Sequence, residues 1–125
     1  MDRFLTLSFG LAIAACISSG AAAADAAHGK ELFMTKCTLC HNADNGGPNK
    51  IGPNLWGVVG RPSATAPGFP YSTAMQHASL NWSKDTLMKY LQGPQAMVPG
   101  IRMTFPGFSK PEDAADVVAY LETRK

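Results

Sequence analysis

The sequence predicts a small all-helical domain in which helices near the two ends enclose an unusually long, loop-rich middle. Three observations predict it. Ala114, Val117, Val118 and Leu121 recur at i, i+3, i+4 and i+7, the stripe of an amphipathic helix with one face on a core. Gly29, Leu32, Phe33 and Cys37 fall at helical spacing on one face near the start. Between these segments, the stretch from Asn42 to Tyr71 is rich in Gly, Pro and Asn, residues that break regular structure and favour turns. No alternating strand pattern is present. A loop of about thirty residues is out of proportion in so small a domain unless it packs on something other than protein.

Two further helices follow from local signals. Ser83 is placed to cap a helix running to Gln92 and stopped by Gly93-Pro94. Ser109-Lys110-Pro111-Glu112 fits a capping box with proline early in the final helix.

With 125 residues, 16% of them charged and a net charge of +2, the chain has room for one compact domain and a targeting segment. A nucleic-acid partner would need a concentrated basic patch, which this balance excludes. Arg3 precedes an apolar run from Phe4 to Ile17, followed by Ser18-Ser19-Gly20 and four alanines. That order is a secretory leader, so residues 1–24 are expected to be a signal peptide, cut after Ala23 or Ala24, and residues 25–125 the domain. The run is about 14 residues, short of the roughly 20 that span a bilayer as a helix. Ile13-Ala14-Ala15-Cys16 also resembles a lipoprotein cleavage box, in which Cys16 would carry the lipid. Membrane contact is otherwise expected only through partners.

The domain itself then keeps two cysteines, Cys37 and Cys40, and a chain of about 100 residues buries only a modest core. Cys37-Thr38-Leu39-Cys40-His41 is C-x-x-C-H, the attachment motif of a c-type haem. Two thiols on one turn can each reach a vinyl group of the same porphyrin, and the next residue places an imidazole under the iron. A thioredoxin-like dithiol would sit beside a βαβ pattern, which is lacking. A zinc site would need a second ligand pair, whereas His28 and His77 stand alone. A disulfide across two residues would close too small a loop to stabilise much. Export favours haem, which bacteria attach outside the cytoplasm.

A second axial ligand is also needed. Met34 is too close to the cysteines to reach the opposite face, and Met88 lies in a helix and reads as core. Met97 and Met103 flank Val98-Pro99-Gly100-Ile101-Arg102, a loop able to bring a thioether over the haem. Chemistry alone leaves these two open.

From Gly29 to Leu121 the chain resembles class I cytochrome c of the mitochondrial and bacterial c2 type. The resemblance is carried by Gly52-Pro53-Asn54-Leu55 with Gly57 and Gly60-Arg61, by Ala66-Pro67-Gly68-Phe69-Pro70-Tyr71-Ser72, by Trp82 with Thr86-Leu87-Met88-Lys89-Tyr90-Leu91, and by Pro99-Gly100-Ile101-Arg102-Met103-Thr104-Phe105. It implies the class I cytochrome c fold: crossed first and last helices, Gly29 allowing close approach beside Tyr120, and long loops wrapped around one covalent haem. It makes Met103 the second iron ligand, opposite His41. Pro53 would accept the other N–H of His41. Tyr71 and Trp82 would donate to the inner propionate, with Arg61 offsetting its charge. Tyr90 would bond the Met103 sulfur and Phe105 would pack at the haem edge.

Some residues depart from that family pattern. Ile101 stands where a hydroxyl residue is usual, Met75 where asparagine organises a buried water, and Trp56 where histidine is frequent. Gln95 and Ala96 occupy positions where mitochondrial members carry docking lysines. The resemblance implies an electron carrier, not an enzyme: a periplasmic monomer that docks redox proteins at an exposed haem edge ringed by Lys36, Arg102 and Lys110. Weak electrostatic steering follows from so few cations. A haem subunit of a larger dehydrogenase or oxidase is the alternative, with an apolar patch of Met97, Val98, Ile101 and Pro106 as its interface. A peroxidase-like enzyme with Met103 displaced is a third reading.

Overall fold

The structure, a computed structural model, describes residues 10, 12–16 and 23–125. The predicted leader falls mostly outside them. Five helices appear in chain order: α1 (Ala26–Lys36), α2 (Thr73–His77), α3 (Lys84–Gln92), α4 (Pro94–Met97) and α5 (Pro111–Glu122). Among the described residues no strand forms. One antiparallel bridge joins Pro62 to Asn81, and among the described residues no helix is long and apolar enough to cross a membrane.

α1 begins at Asp25, whose carboxylate accepts the backbone N–H groups of Ala27 (3.0 Å) and His28 (3.2 Å). These are two of the donors a helix start leaves without an internal partner. α3 starts as the sequence predicts, with the Ser83 hydroxyl accepting from Thr86 N–H at 3.2 Å. α5 does not. Its N-cap is Lys110, with no side-chain bond, and Pro111 opens the helix. The capping box is therefore not made. Proline supplies the start by fixing φ and lacking the unneeded N–H, while Glu112 and Asp113 sit favourably at the positive end of the helix dipole. Gly93-Pro94 ends α3 as expected, yet the same proline opens the short α4. Met97 is thus the last residue of a helix rather than a loop residue.

α1 and α5 cross at Gly29. A Cβ built there would lie 1.8 Å from the Asp116 carbonyl oxygen and 2.4 Å from its carbon. Only a residue without a side chain permits that approach. The close contact is with the Asp116 backbone, and Tyr120 packs one turn further on, its ring 5.3 Å from that of Phe33. Beneath the crossing, Phe33, Ala114, Val117, Val118 and Leu121 are buried with Leu87 and Tyr90 of α3. Each fully buried valine or leucine contributes about 2 kcal/mol. The exposed Lys84–Glu122 pair between α3 and α5 (3.0 Å) contributes well under about 1 kcal/mol by comparison. Apolar packing decides this helix arrangement.

The crossing is flanked by a polar contact: His28 Nδ1 lies 2.8 Å from Asp116 Oδ2. The Asp116 bond holds His28 above its ordinary 6.5. Asp116 is held below its ordinary 3.8, first by the backbone N–H of Asp25 and then by His28.

Gly29→Ala should destabilise the fold by about 3 kcal/mol or more in denaturant titration, because the helices must separate. The stability difference between the natural chain and His28→Ala should follow pH. A raised histidine pKa stabilises fully below 6.5 and loses its effect as pH rises through the folded value. The two unfolding curves should therefore differ most in mildly acid buffer and converge above neutrality.

Candidate haem site

The C-x-x-C-H segment continues directly from α1. Cys37 N–H bonds Phe33 O (2.9 Å), while Cys40 N–H (3.0 Å) and His41 N–H (2.9 Å) both bond Cys37 O. These turns hold both cysteines and the histidine within one short stretch of coiled backbone. Both thiols are free and half-buried. Burial, reinforced by Cys40, pushes the Cys37 thiol up to about 11.

The neighbouring loop clamps this turn. Gly52 N–H donates to Cys40 O at 2.7 Å, and Lys50 Nζ donates to Thr38 O. Gly52 does more. A Cβ at this position would lie 2.3 Å from His41 Cε1 and within 2.8 Å of both ring nitrogens, so the imidazole rests directly on the glycine backbone. His41 Nδ1 is 2.7 Å from Pro53 O. A carbonyl only accepts, so Nδ1 carries the proton and Nε2 presents its lone pair. Burial holds His41 below its ordinary pKa, opposed by the Pro53 bond and assisted by Lys50. The result is a neutral, fixed imidazole with a defined ligand atom.

Pro53 is itself fixed from behind. Asn54 Oδ1 accepts from Asp44 N–H (3.3 Å) and Trp56 N–H (3.2 Å), and Nδ2 donates to Asp44 O (2.8 Å) and Gly47 O (3.0 Å). Arg124, near the chain end, donates from Nε to Ala43 O (2.9 Å) and pairs with Asp44 (3.0 Å). Its guanidinium lies over the Trp56 ring at 5.3 Å, and its carbonyl accepts Gly57 N–H at 2.7 Å.

Arg61 and Trp82 are brought together by the small antiparallel pairing. Trp82 N–H bonds Arg61 O (2.9 Å) and Gly60 N–H bonds Trp82 O (2.7 Å). Trp82 is buried and packs on Tyr90, ring centroids 4.8 Å apart. Burial pushes the Tyr90 phenol up to about 12, so it stays a donor. The Arg61 guanidinium donates to Trp56 O (3.0 Å) and Asn54 O (3.5 Å), while its buried Nε has no partner. Tyr71 OH accepts from Ala66 N–H at 2.9 Å, leaving its own proton to donate elsewhere.

Across the core, Gln95 pins the methionine loop: its Nε2 donates to Ile101 O (3.1 Å) and Met103 O (3.0 Å). Met103 is half-buried and packs on the cluster containing Trp82, Tyr90 and Ile101. Phe105 is half-buried too, edge-on to Phe108 at 5.0 Å.

Tyr90 and Met103 belong to one cluster, and the tyrosine ring packs on Trp82. Two expectations change. The Arg102 guanidinium is tied to Pro70 O, which makes it a loop fastener as well as a surface cation. The apolar patch does not exist as predicted, since Val98 and Ile101 are 6% and 8% exposed. The most exposed large apolar side chains beside the motif are Leu39 (83%), inside it, and Ile51 (76%), in the loop clamped to it.

Sequence reading missed Gly52, Asn54 and Arg124 as supports. It treated Gln95 as a missing lysine when it is a loop anchor. Only the Gly-Pro-Asn run carried a local signal for the first two.

The residues fit haem. The free thiol pair, the neutral imidazole aimed through Nε2 and the buried, unpartnered Arg61 Nε together suit an iron porphyrin with acidic side chains. Comparison with known proteins agrees. The cytochrome c family model matches residues 26–125. Cytochrome c of Chlamydomonas reinhardtii is 49% identical over 102 residues, covering 82% of this chain and 91% of its own length. Cytochrome c2 of Rhodopila globiformis is 50% identical over 101 residues, covering 81% and 94%. The chain therefore belongs to the cytochrome c family, with the all-α class I fold. Its cofactor is one covalent haem c, and its work is carrying electrons rather than enzymatic turnover.

Gly52→Ala should cost about 3 kcal/mol of holoprotein stability, since its Cβ overlaps the His41 ring. Gly57→Ala should cost only about 1–2 kcal/mol, the backbone penalty of its positive φ, because its Cβ meets nothing within 4 Å. Thermal unfolding of the two holoproteins compares them directly.

Proposed function

We propose that this chain is an exported, periplasmic, monomeric electron carrier whose iron is held by His41 and Met103. One observation carries the reading: a rigid imidazole on one side and a pinned methionine loop on the other. His41 is fixed by Pro53 and Gly52, and Met103 sits on a segment whose carbonyls at 101 and 103 are both held by Gln95. Two fixed protein ligands leave no open position for substrate. When bound, the haem supplies a one-electron iron couple whose potential the histidine–methionine pair raises.

The remaining residues bind and orient. Cys37 and Cys40 would form the thioether links. Arg61, through its free Nε, together with Tyr71 and Trp82 would hold the inner propionate. Tyr90 would donate towards the Met103 side of the pocket, and Phe105 would cover the haem edge. His41 is held through its ring by Pro53 O and the Met103 segment through its backbone by Gln95, so the groups that would ligate the iron are positioned in advance, which would keep reorganisation small. Redox proteins dock beside the attachment turn, where Leu39 and Ile51 are exposed among the cations Lys36 and Lys50. With Arg102 engaged by Pro70, contact at this surface is more apolar than ionic. The free carrier is favoured over an enzyme subunit because Val98 and Ile101 belong to the core.

Met103→Ala should abolish the sulfur-to-iron charge-transfer band of the ferric protein, and Met97→Ala should preserve it. The opposite result reassigns the ligand. The bimolecular electron-transfer rate with an acidic redox protein should fall only about two- to threefold as salt rises from low to physiological strength. A steep decline measured by stopped-flow would assign docking to the cations instead.

A further inference from the structure

The start of the domain carries an arrangement the haem site does not use. Asp116 of α5 turns its carboxylate back over the helix crossing. Oδ1 accepts the backbone N–H of Asp25 at 2.7 Å and Oδ2 meets His28 Nδ1 at 2.8 Å. The Asp116 side chain is only 14% exposed. The nitrogen it holds is the one on the far side of the Ala24–Asp25 peptide bond, where the small-residue leader exit Ala22-Ala23-Ala24 ends. Residues 23, 24 and 25 are exposed, which leaves that bond accessible.

We infer, resting on the reading of residues 1–24 as a leader, that processing cuts the Ala24–Asp25 bond and that the new α-ammonium of Asp25 docks on Asp116, adding an ion pair across the α1–α5 crossing that the unprocessed chain lacks. The step is hydrolysis. Water breaks the C–N bond, Ala24 keeps the carboxylate, and Asp25 keeps an amine that takes a proton from solvent. The nitrogen already lies at hydrogen-bond distance from Oδ1, so no rearrangement is needed and only its charge changes.

Two effects compete there. A cation at the start of α1 opposes the helix dipole. Against that stands the surrounding charge: Asp25 and Glu31 from the α1 side and Asp113 and Asp116 from α5, with His28 opposing them when protonated. His28, Asp113 and Asp116 present ligand atoms within 4.8 Å of one another. Carboxylates outnumber cations, and a charge-assisted bond at 2.7 Å to the Asp116 carboxylate opposes the terminal dipole. A chain beginning at Ala24 would place the ammonium one residue, about 3.8 Å, further along the chain and lose the pair. The geometry therefore distinguishes the products of the two cuts that the alanine run allows.

The test uses the exported holoprotein. Its intact mass gives the first residue, and acetic anhydride labelling across pH gives the titration midpoint of the α-amine. A synthetic peptide of residues 25–30 provides the unfolded reference, expected near the ordinary α-amino value of about 7.7–8.0. The expected result is a mass starting at Asp25 and, at about pH 8, roughly tenfold less free amine than in the peptide. Asp116→Asn holoprotein should titrate like the peptide. A midpoint equal to the peptide's overturns the docking, and this comparison stands even if Asp116→Asn fails to fold. A mass starting at Ala24 or at a lipidated Cys16 overturns the site of the cut. A chain retaining residues 1–24 overturns the leader reading itself.

Discussion

The contact of α1 with α5 at Gly29 fixes the position of everything that follows along the chain. Helix backbones this close share Phe33, Val117, Val118 and Leu121 in one apolar layer. With α1 fixed on that layer, its last turn delivers Cys37 at a set place, and Cys40 and His41 follow through bonds to Cys37 O. The loop from residue 42 onward need then only close over the turn. It does so through Gly52, Pro53 and Asn54 in front and Arg124 behind. The proximal ligand is thus positioned by both chain ends at once, although neither end touches the imidazole.

The distal side is built on a different principle. No long helix supports Met103. Its loop hangs between α4 and α5, fastened by Gln95 to two carbonyls and by Arg102 to Pro70. Ile101 and Met75 are buried here, so the interior on this side is lined largely by apolar groups, with the Tyr90 hydroxyl among them. A low-dielectric lining penalises charge on the iron and is one of the levers by which a protein sets its potential.

Residues with local signals were legible from sequence. The stripe of α5, the Ser83 cap and the C-x-x-C-H turn each rest on neighbours within a few positions. α2 and α4 were not, because helices of one turn have too few residues to show a period. Pro94 was legible as the stop of α3, but its second role as the opening residue of α4 left no separate signal. The supposed surface patch at Val98 and Ile101 failed for another reason: exposure is set by partners distant in sequence. The same limit hid Gly52 and Arg124. Of the metal-binding constellation, Cys37, Cys40 and His41 were readable as chemistry, while the second ligand needed family resemblance to separate Met103 from Met97.

The crossing helices are also far apart along the chain: the His28–Asp116 contact spans 88 residues. Closing so long a loop costs entropy that only the finished interface repays. A chain that emerges N-terminus first presents its Cys37–His41 turn early, and the partner of α1 last. Until residues near 117 arrive, the attachment turn has no wall behind it. The order of emergence thus leaves an interval in which α1 and the turn that continues from it lack their partner helix.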